Sequence, residues 1–173
     1  SVTSIGESVF DECSTSLISI TVDEDNYVYH SSSNCLIHTA NKTLILGCKN
    51  SAIPDDGSVT SIGNNAFSGC IGLTSITIPD SVVSIGDYAF AGCSELTSIT
   101  IPNSVTNIGE RVFYECTNLT SIIIPNSVTN IGPYAFYGCE SLTSVTIIGV
   151  PSIMSTTFGN CPNLTDIYVN WSE

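Results

Sequence analysis

Positive charge is nearly absent from this chain: three basic residues, Lys42, Lys49 and Arg111, stand against sixteen acidic ones, for a formal net charge of -13. That scarcity argues against nucleic acid as a partner, since neutralising phosphates takes clustered Lys and Arg, and the same field repels anionic lipid surfaces. The surplus of acid leaves room for a basic partner or divalent cations. Histidine is scarcer still. His30 and His38 are the two in the chain, and neither stands near the nucleophile and orienting carboxylate that Ser-His-Asp or Cys-His chemistry requires. Paired, non-repeating polar clusters are missing as well, so the chain is not expected to be an enzyme.

Long apolar runs are also absent. No stretch approaches the roughly 20 apolar residues that span a bilayer, and the opening SVTSIGESVFDEC lacks the basic and apolar regions of a signal peptide. The chain starts and stops inside a repeated pattern, which reads as a piece of something longer. No glycine-rich phosphate loop or dinucleotide fingerprint occurs, and no cofactor is expected.

What is abundant is repetition. From Leu73 the chain reads LTSITIPDSVVSIGDYAFAGCSE, from Leu96 LTSITIPNSVTNIGERVFYECTN, and from Leu119 LTSIIIPNSVTNIGPYAFYGCES, a period of 23 residues. From Leu142 the unit runs one residue short between Ile147 and Val150, with Ile148 where proline is expected, and LTDIYV from Leu164 is the last strand-like piece. Residues 58–70 and 1–13 are second halves of the same unit. All six phenylalanines (Phe10, Phe67, Phe90, Phe113, Phe136, Phe158) then share one position, and so do six of eight cysteines (Cys13, Cys70, Cys93, Cys116, Cys139, Cys161).

Within a unit, Leu73, Ile76 and Ile78 mark a short half-buried strand. Pro79, Pro102 and Pro125 lack an amide donor, so each ends a strand and starts a turn with Asp80, Asn103 or Asn126. Val82 and Ile85, with Val105/Ile108 and Val128/Ile131, form a second apolar edge on the opposite side. Gly86, Gly109 and Gly132 follow, at a position suited to positive φ. The next residues, such as DYAFAG, have room for about one and a half helical turns, and a short α or 3₁₀ turn is expected there with Ala89 and Phe90 inward. Stacked coils place strands about 4.8 Å apart in one parallel sheet, with like residues above one another. One coil cannot bury its Leu, Ile and Phe; its neighbours do so for it.

Residues about 23–57 break the pattern. Strand-like pieces at Cys35–Thr39 and Thr43–Gly47 flank a turn at Ala40-Asn41-Lys42, which reads as a β-hairpin. Ile53-Pro54 resumes the strand end, followed by a turn two residues longer than usual at Asp55-Asp56-Gly57.

The unit C-x-x-L-x-x-I-x-I-P-x-x-V-x-x-I-G-x-x-A-F resembles the BspA-like leucine-rich repeats over nearly the whole chain. The hairpin segment resembles an interruption common in that family, while Val112 departs from the usual Ala. The resemblance implies a β-rich α/β architecture. This is a right-handed leucine-rich-repeat solenoid with a parallel concave sheet and α/3₁₀ turns on the other side, one domain over 1–173. It also implies a cell-surface or secreted protein, several relatives of which are associated with adhesion to host matrix proteins or other cells. The matching positions build the core, so the resemblance carries the fold and no binding residue.

The aligned cysteines are expected to be buried free thiols. Coils about 5 Å apart permit a disulfide by distance, yet superposed parallel side chains do not supply a dihedral near 90°. Ligands in a line cannot surround an ion, so no metal is expected. Cys35 and Cys48 face one another across the hairpin, bonded or free. Asp23-Glu24-Asp25-Asn26 offers oxygens for calcium but lacks the glycine and distal Glu of an EF-hand loop, and reads as an acidic turn. The sequons at Asn41, Asn118, Asn163 and Asn170 are read as coincidence outside a eukaryotic source.

The candidate binding face consists of the strand residues pointing away from the core: Ser19/Thr21, Ser75/Thr77, Ser98/Thr100, Ser121/Ile123, Ser144/Thr146 and Asp166/Tyr168. These are two Ser/Thr columns broken by Ile123 and Tyr168, and they suit an extended partner. The expected partner is a host matrix or neighbouring-cell surface protein, bound by this face or the hairpin. Two alternatives are a passive spacer projecting another domain and a glycan-binding module. The columns carry almost no aromatic ring for sugars apart from Tyr168. Exposed apolar ends favour end-to-end self-association.

Overall fold

The computed structural model describes residues 2–6, 9–10 and 16–170. Their strands are β1 (Tyr29–Ser32), β2 (Cys35–His38), β3 (Thr43–Leu46), β4 (Ser61–Ile62), β5 (Ser75–Thr77), β6 (Ser84–Ile85), β7 (Ser98–Thr100), β8 (Asn107–Ile108), β9 (Ser121–Ile124), β10 (Asn130–Ile131), β11 (Ser144–Ile148) and β12 (Asp166–Asn170). They form a solenoid in which β5 pairs with β7, and β9, β11 and β12 pair side by side, all in parallel. Between β7 and β9 the Thr120 amide still donates to the Thr97 carbonyl at 3.3 Å, so the row is continuous across the gap in strand pairing. Partners are residues one coil apart, such as Ile76↔Ile99 and Ile122↔Val145. The repeat therefore sets the register.

The second apolar edge is itself a sheet. β4, β6, β8 and β10 are two-residue strands in parallel register, and they continue through β3, β2 and β1 as one seven-stranded sheet. Ile62, Ile85, Ile108 and Ile131 point inward from it. Between the two strand rows lies the phenylalanine column. Phe67, Phe90, Phe113 and Phe136 are fully buried. Successive rings, through Phe158, stack with centroids 5.1, 5.5, 5.2 and 5.2 Å apart, within the range of favourable aromatic pairs. Phe10 stands apart from this stack, in a smaller cluster, and Cys13 lies outside the described residues.

The segment expected to be a short α or 3₁₀ turn is neither; among the described residues there is no helix. Asn65, Tyr88, Arg111 and Tyr134 adopt φ of 57°, 58°, 52° and 58°, and Gly69, Gly92, Glu115 and Gly138 repeat the left-handed state four residues on. These reversals break any helical path and turn alternate amides along the solenoid axis. The amides of Asn65, Phe67 and Gly69 donate to the carbonyls of Asp87, Ala89 and Ala91 at 2.9, 2.7 and 2.7 Å, and the same bonds recur one coil later. A third row of intercoil bonds thus offsets the loss of helical ones.

Positive φ was expected at Gly86, Gly109 and Gly132, yet falls two residues later on Tyr88, Arg111 and Tyr134. Glycine is required at the earlier site by close approach. A Cβ on Gly132 would stand 2.5 Å from the carbonyl carbon and oxygen of Gly109, and one on Gly109 2.8 Å from Gly86 carbon. Those distances are closer than any Cβ tolerates, so the glycines stack backbone on backbone.

In place of a two-stranded hairpin, the interruption is a three-stranded antiparallel meander, β1-β2-β3, whose last strand joins β4 in parallel. Leu36 pairs with Leu46 but Ile37 pairs with Leu44, so Ile45 is bulged out. The bulge turns Leu44 and Leu46, two apart, to opposite faces. Cys35, Ile37 and Leu44 enter the main core, whereas Leu36, Leu46 and Tyr29 pack against Ile5, Phe10, Leu17, Ile20 and Val22 in a second core. The meander is a wall shared by two cores.

Ile148 also has a visible effect. β5 and β7 stop at Thr77 and Thr100, whereas β11 runs on through Ile148 because its amide is available where proline would remove one. Gly149, at φ 100°, then absorbs the shorter unit, and the Ile131 amide reaches the Ser152 carbonyl to restore the second row.

Two substitutions test this packing. Phe113→Ala removes the middle of the stack and is expected to cost about 3–5 kcal/mol. Gly132→Ala forces backbone apart and is expected to cost about 3 kcal/mol, at the upper end for added bulk in a packed site. Chemical denaturation of each variant measures both; a loss under about 0.5 kcal/mol in either refutes the corresponding contact.

Candidate functional site

The strand side presents hydroxyls in two kinds of column. One is used internally: the hydroxyls of Thr97, Thr120, Thr143 and Thr165 each donate to the backbone carbonyl of the preceding coil, at 3.3, 3.3, 3.1 and 3.4 Å. Thr120 and Thr165 are also the sequon threonines of Asn118 and Asn163, so the repeat accounts for them. The outward columns differ. Ser75, Thr77, Ser98, Thr100 and Ser121 are exposed, and Ser144 and Thr146 half-buried. No hydrogen bond to their hydroxyls exists among the described residues. Register places Ile123, Thr146 and Tyr168 side by side on adjacent strands, above Ser121, Ser144 and Asp166. Ile123 is 57% exposed and Tyr168 60%. They form an apolar pair bridged by a threonine at the edge of a hydroxyl-bearing surface. Ser19 and Thr21 are exposed but belong to no strand, so the columns begin at Ser75.

The other residues singled out from the sequence serve the fold. The thiols of Cys93, Cys116, Cys139 and Cys161 donate to the carbonyls of Phe67, Phe90, Phe113 and Phe136 at 3.2, 3.2, 3.3 and 3.1 Å. Each Cys is a small apolar filler whose weak donor adds a second bond to a carbonyl such as that of Phe67, Phe90 or Phe113, which already accepts the amide three residues on. Burial pushes the Cys70 thiol up to about 12 and raises those of Cys93, Cys116 and Cys139 as well. Cys35 and Cys48 are free and buried. Cys35 donates to the Ala52 carbonyl at 3.5 Å, and the Ser51 hydroxyl accepts the Cys48 amide at 2.8 Å.

His38 packs edge-on against Tyr29 at 5.3 Å, and His30 Nδ1 meets the Thr39 hydroxyl at 3.0 Å, both across β1 and β2. In the acidic turn, Asp23 Oδ1 accepts the Asp25 amide, and Asn26 Oδ1 accepts those of Val28 and Tyr29. Those oxygens close the turn.

One cluster escaped the sequence reading. Tyr88, Arg111 and Tyr134 share a column on the turn side, and Tyr114 and Tyr137 share the column three residues on. The Arg111 guanidinium lies 4.8 Å from the Tyr134 ring centre, 5.4 Å from Tyr88 and 5.9 Å from Tyr114. Its Nη1 donates to the Tyr88 hydroxyl and to Glu110 Oε1, and the Tyr88 contact, then Glu110, holds the guanidinium more firmly protonated. Tyr114 stacks on Tyr137 at 5.5 Å, Tyr134 meets Tyr137 edge-on at 5.7 Å, and Glu115 raises the Tyr114 phenol by hydrogen bonding. The signal was present in the aligned blocks DYAFAG, ERVFYE and PYAFYG, whose variable second and fifth positions carry these side chains.

A solenoid of in-register coils with stacked Leu, Ile and Phe defines a leucine-rich-repeat protein. The chain belongs to the BspA-type leucine-rich-repeat family, whose repeat pattern it matches in six copies over residues 60–172. It is similar to a leucine-rich cell surface protein of Faecalibacterium prausnitzii, with 36% identity and a TM-score of 0.88 over 99% of this chain and 46% of the other. It is also similar to the pneumococcal vaccine antigen PcpA, with 25% identity and a TM-score of 0.80 over 89% of this chain and 40% of that one. A leucine-rich-repeat protein of Eubacterium ventriosum aligns with 25% identity and a TM-score of 0.63, over 88% and 36%. The chain thus spans less than half the length of these three. No curated protein matches it in sequence.

The thiol column predicts both reactivity and pH response. At pH 8 the native chain is expected to resist iodoacetamide at Cys70, Cys93, Cys116 and Cys139 while the urea-unfolded chain reacts at each. Folding holds these thiols protonated above the ordinary value of 9.0, so their share of stability is complete below pH 9 and declines as pH rises through the folded values, about 12 for Cys70. Urea midpoints measured from pH 8 to pH 11 check the sign; a midpoint that rises with pH refutes it.

Proposed function

We propose that this chain is a binding module displayed at a cell surface, and that it holds a protein partner on the strand side. The observation carrying this reading is the contrast between the two hydroxyl columns. The exposed Thr97 and Thr120 spend their hydroxyls on neighbouring coils, whereas the strand Ser and Thr keep theirs free beside the exposed Ile123 and Tyr168. An apolar pair within a polar, regularly spaced field is what a protein interface needs: an anchor that excludes water and a rim that hydrogen-bonds. The face is ordered, because its strands are paired in register, β11 from both sides and β12 from one, so little ordering entropy opposes binding. The meander is less suited, since both its faces are packed into cores.

The surface placement is supported by family membership and by the likeness to the cell-surface protein of F. prausnitzii, which this chain resembles over 99% of its own length. Binding is favoured over catalysis because both histidines are engaged in cross-strand contacts and the buried thiols are held protonated.

The test is surface plasmon resonance of the chain against immobilised laminin and collagen, and against a cell-surface protein extract, with Ile123→Asp/Tyr168→Ala as the paired variant. Removing a central anchor pair is expected to weaken binding by roughly tenfold to a hundredfold, without shifting thermal unfolding. Equal binding by the variant would place the interface elsewhere. Absence of binding by the native chain would leave the solenoid as a spacer.

A further inference from the structure

We propose that the tyrosine cluster around Arg111 on the turn side is a second binding surface, and that its ligand is a neutral oligosaccharide. Four tyrosines converge there within two adjacent columns, each half-buried; Tyr114 and Tyr137 lie face to face and Arg111 lies over Tyr88, Tyr114 and Tyr134, so what they offer to solvent is ring edges. Core packing does not call for them. The aligned position holds Asn65 in one coil and Ala91 occupies the place of Tyr114 and Tyr137 in another, with the same intercoil amide bonds preserved.

The charge pattern selects the ligand. Arg111 already lies over three of the rings, at 4.8 to 5.9 Å, so a cationic side chain seeking those faces meets a fixed positive charge. An anion meets Glu110 on Arg111, Glu115 at the Tyr114 hydroxyl, and a chain of net charge -13. What remains is an uncharged molecule with flat apolar patches edged by hydroxyls, and pyranose rings have that character. Their C–H groups pack against the exposed tyrosine ring edges by dispersion. Arg111 is held in place by the Tyr88 hydroxyl and Glu110 through Nη1 alone. Its Nη2 and Nε groups have no protein acceptor among the described residues, and they present a fork of donors to adjacent sugar hydroxyls. The strand columns offer one such ring, Tyr168; the turn side supplies four. This inference is independent of the strand-side reading, since no residue is shared.

The experiment is calorimetric titration and ¹H-¹⁵N NMR of the whole chain with maltohexaose, cellohexaose and mannohexaose. At least one is expected to bind with Kd of about 1 mM or tighter, shifting amides that centre on 111, 114, 134 and 137. Tyr137→Ala is expected to weaken that binding about tenfold, and Tyr137→Phe, which keeps the ring, to stay within about threefold. Thermal unfolding of both variants reports whether the fold is kept, and the shift map on the native chain stands without them. The proposal is overturned if no hexasaccharide binds, if the shifts centre on the strand side, or if Tyr137→Ala binds as the native chain does. It is equally overturned if a deglycosylated matrix protein, and no sugar, is held through these tyrosines.

Discussion

Everything in this molecule depends on coils lying in register. A single coil has too little apolar surface to stay folded alone, so its order is supplied by its neighbours. Three separate rows enforce that register: the strand row, the two-residue strands of the second edge, and the alternating amides of the turn segment. Phenylalanine rings and cysteine thiols then fill the spaces the three rows enclose. A slip by one residue would break all of these at once, and apart from the buried Val112, which replaces the usual Ala, the variation discussed above falls at outward positions or at compensated sites such as Gly149.

The interior was legible in the sequence because it repeats. Phe67 to Phe136 stand 23 apart and stack; Thr and Ser alternate with Ile and sort to opposite faces. The turn segment was not legible, because length and composition around Tyr88 suit a helical turn, and a left-handed Tyr or Arg is an uncommon choice. Tertiary hydrogen bonds decided the matter. Gly86, Gly109 and Gly132 illustrate a second ambiguity: glycine signals either unusual φ or close approach, and only geometry tells the two apart. The tyrosine cluster was missed because its members occupy variable positions, where a repeat is usually read as loop.

The same distinction separates scaffold from function. Side chains recurring in every coil, such as the Thr97 and Thr120 hydroxyls or the Cys93 and Cys116 thiols, are hydrogen-bonded to the preceding coil. Those that differ between coils, Ile123, Tyr168, Arg111 and the tyrosines about it, face outward. In a chain this uniform, the departures from the repeat carry the individuality of the protein.

The bulge at Ile45 has a consequence for how the molecule comes apart. By sending Leu44 and Leu46 to opposite faces, it divides the apolar interior into two compartments that share a wall and little else. The smaller one, built on Tyr29, Leu36 and Leu46, can open at far lower free energy than the long one, since few buried groups are lost. Under pulling force or mild denaturant, the solenoid therefore yields first on the far side of the meander, which then serves as the cap that keeps the phenylalanine stack dry.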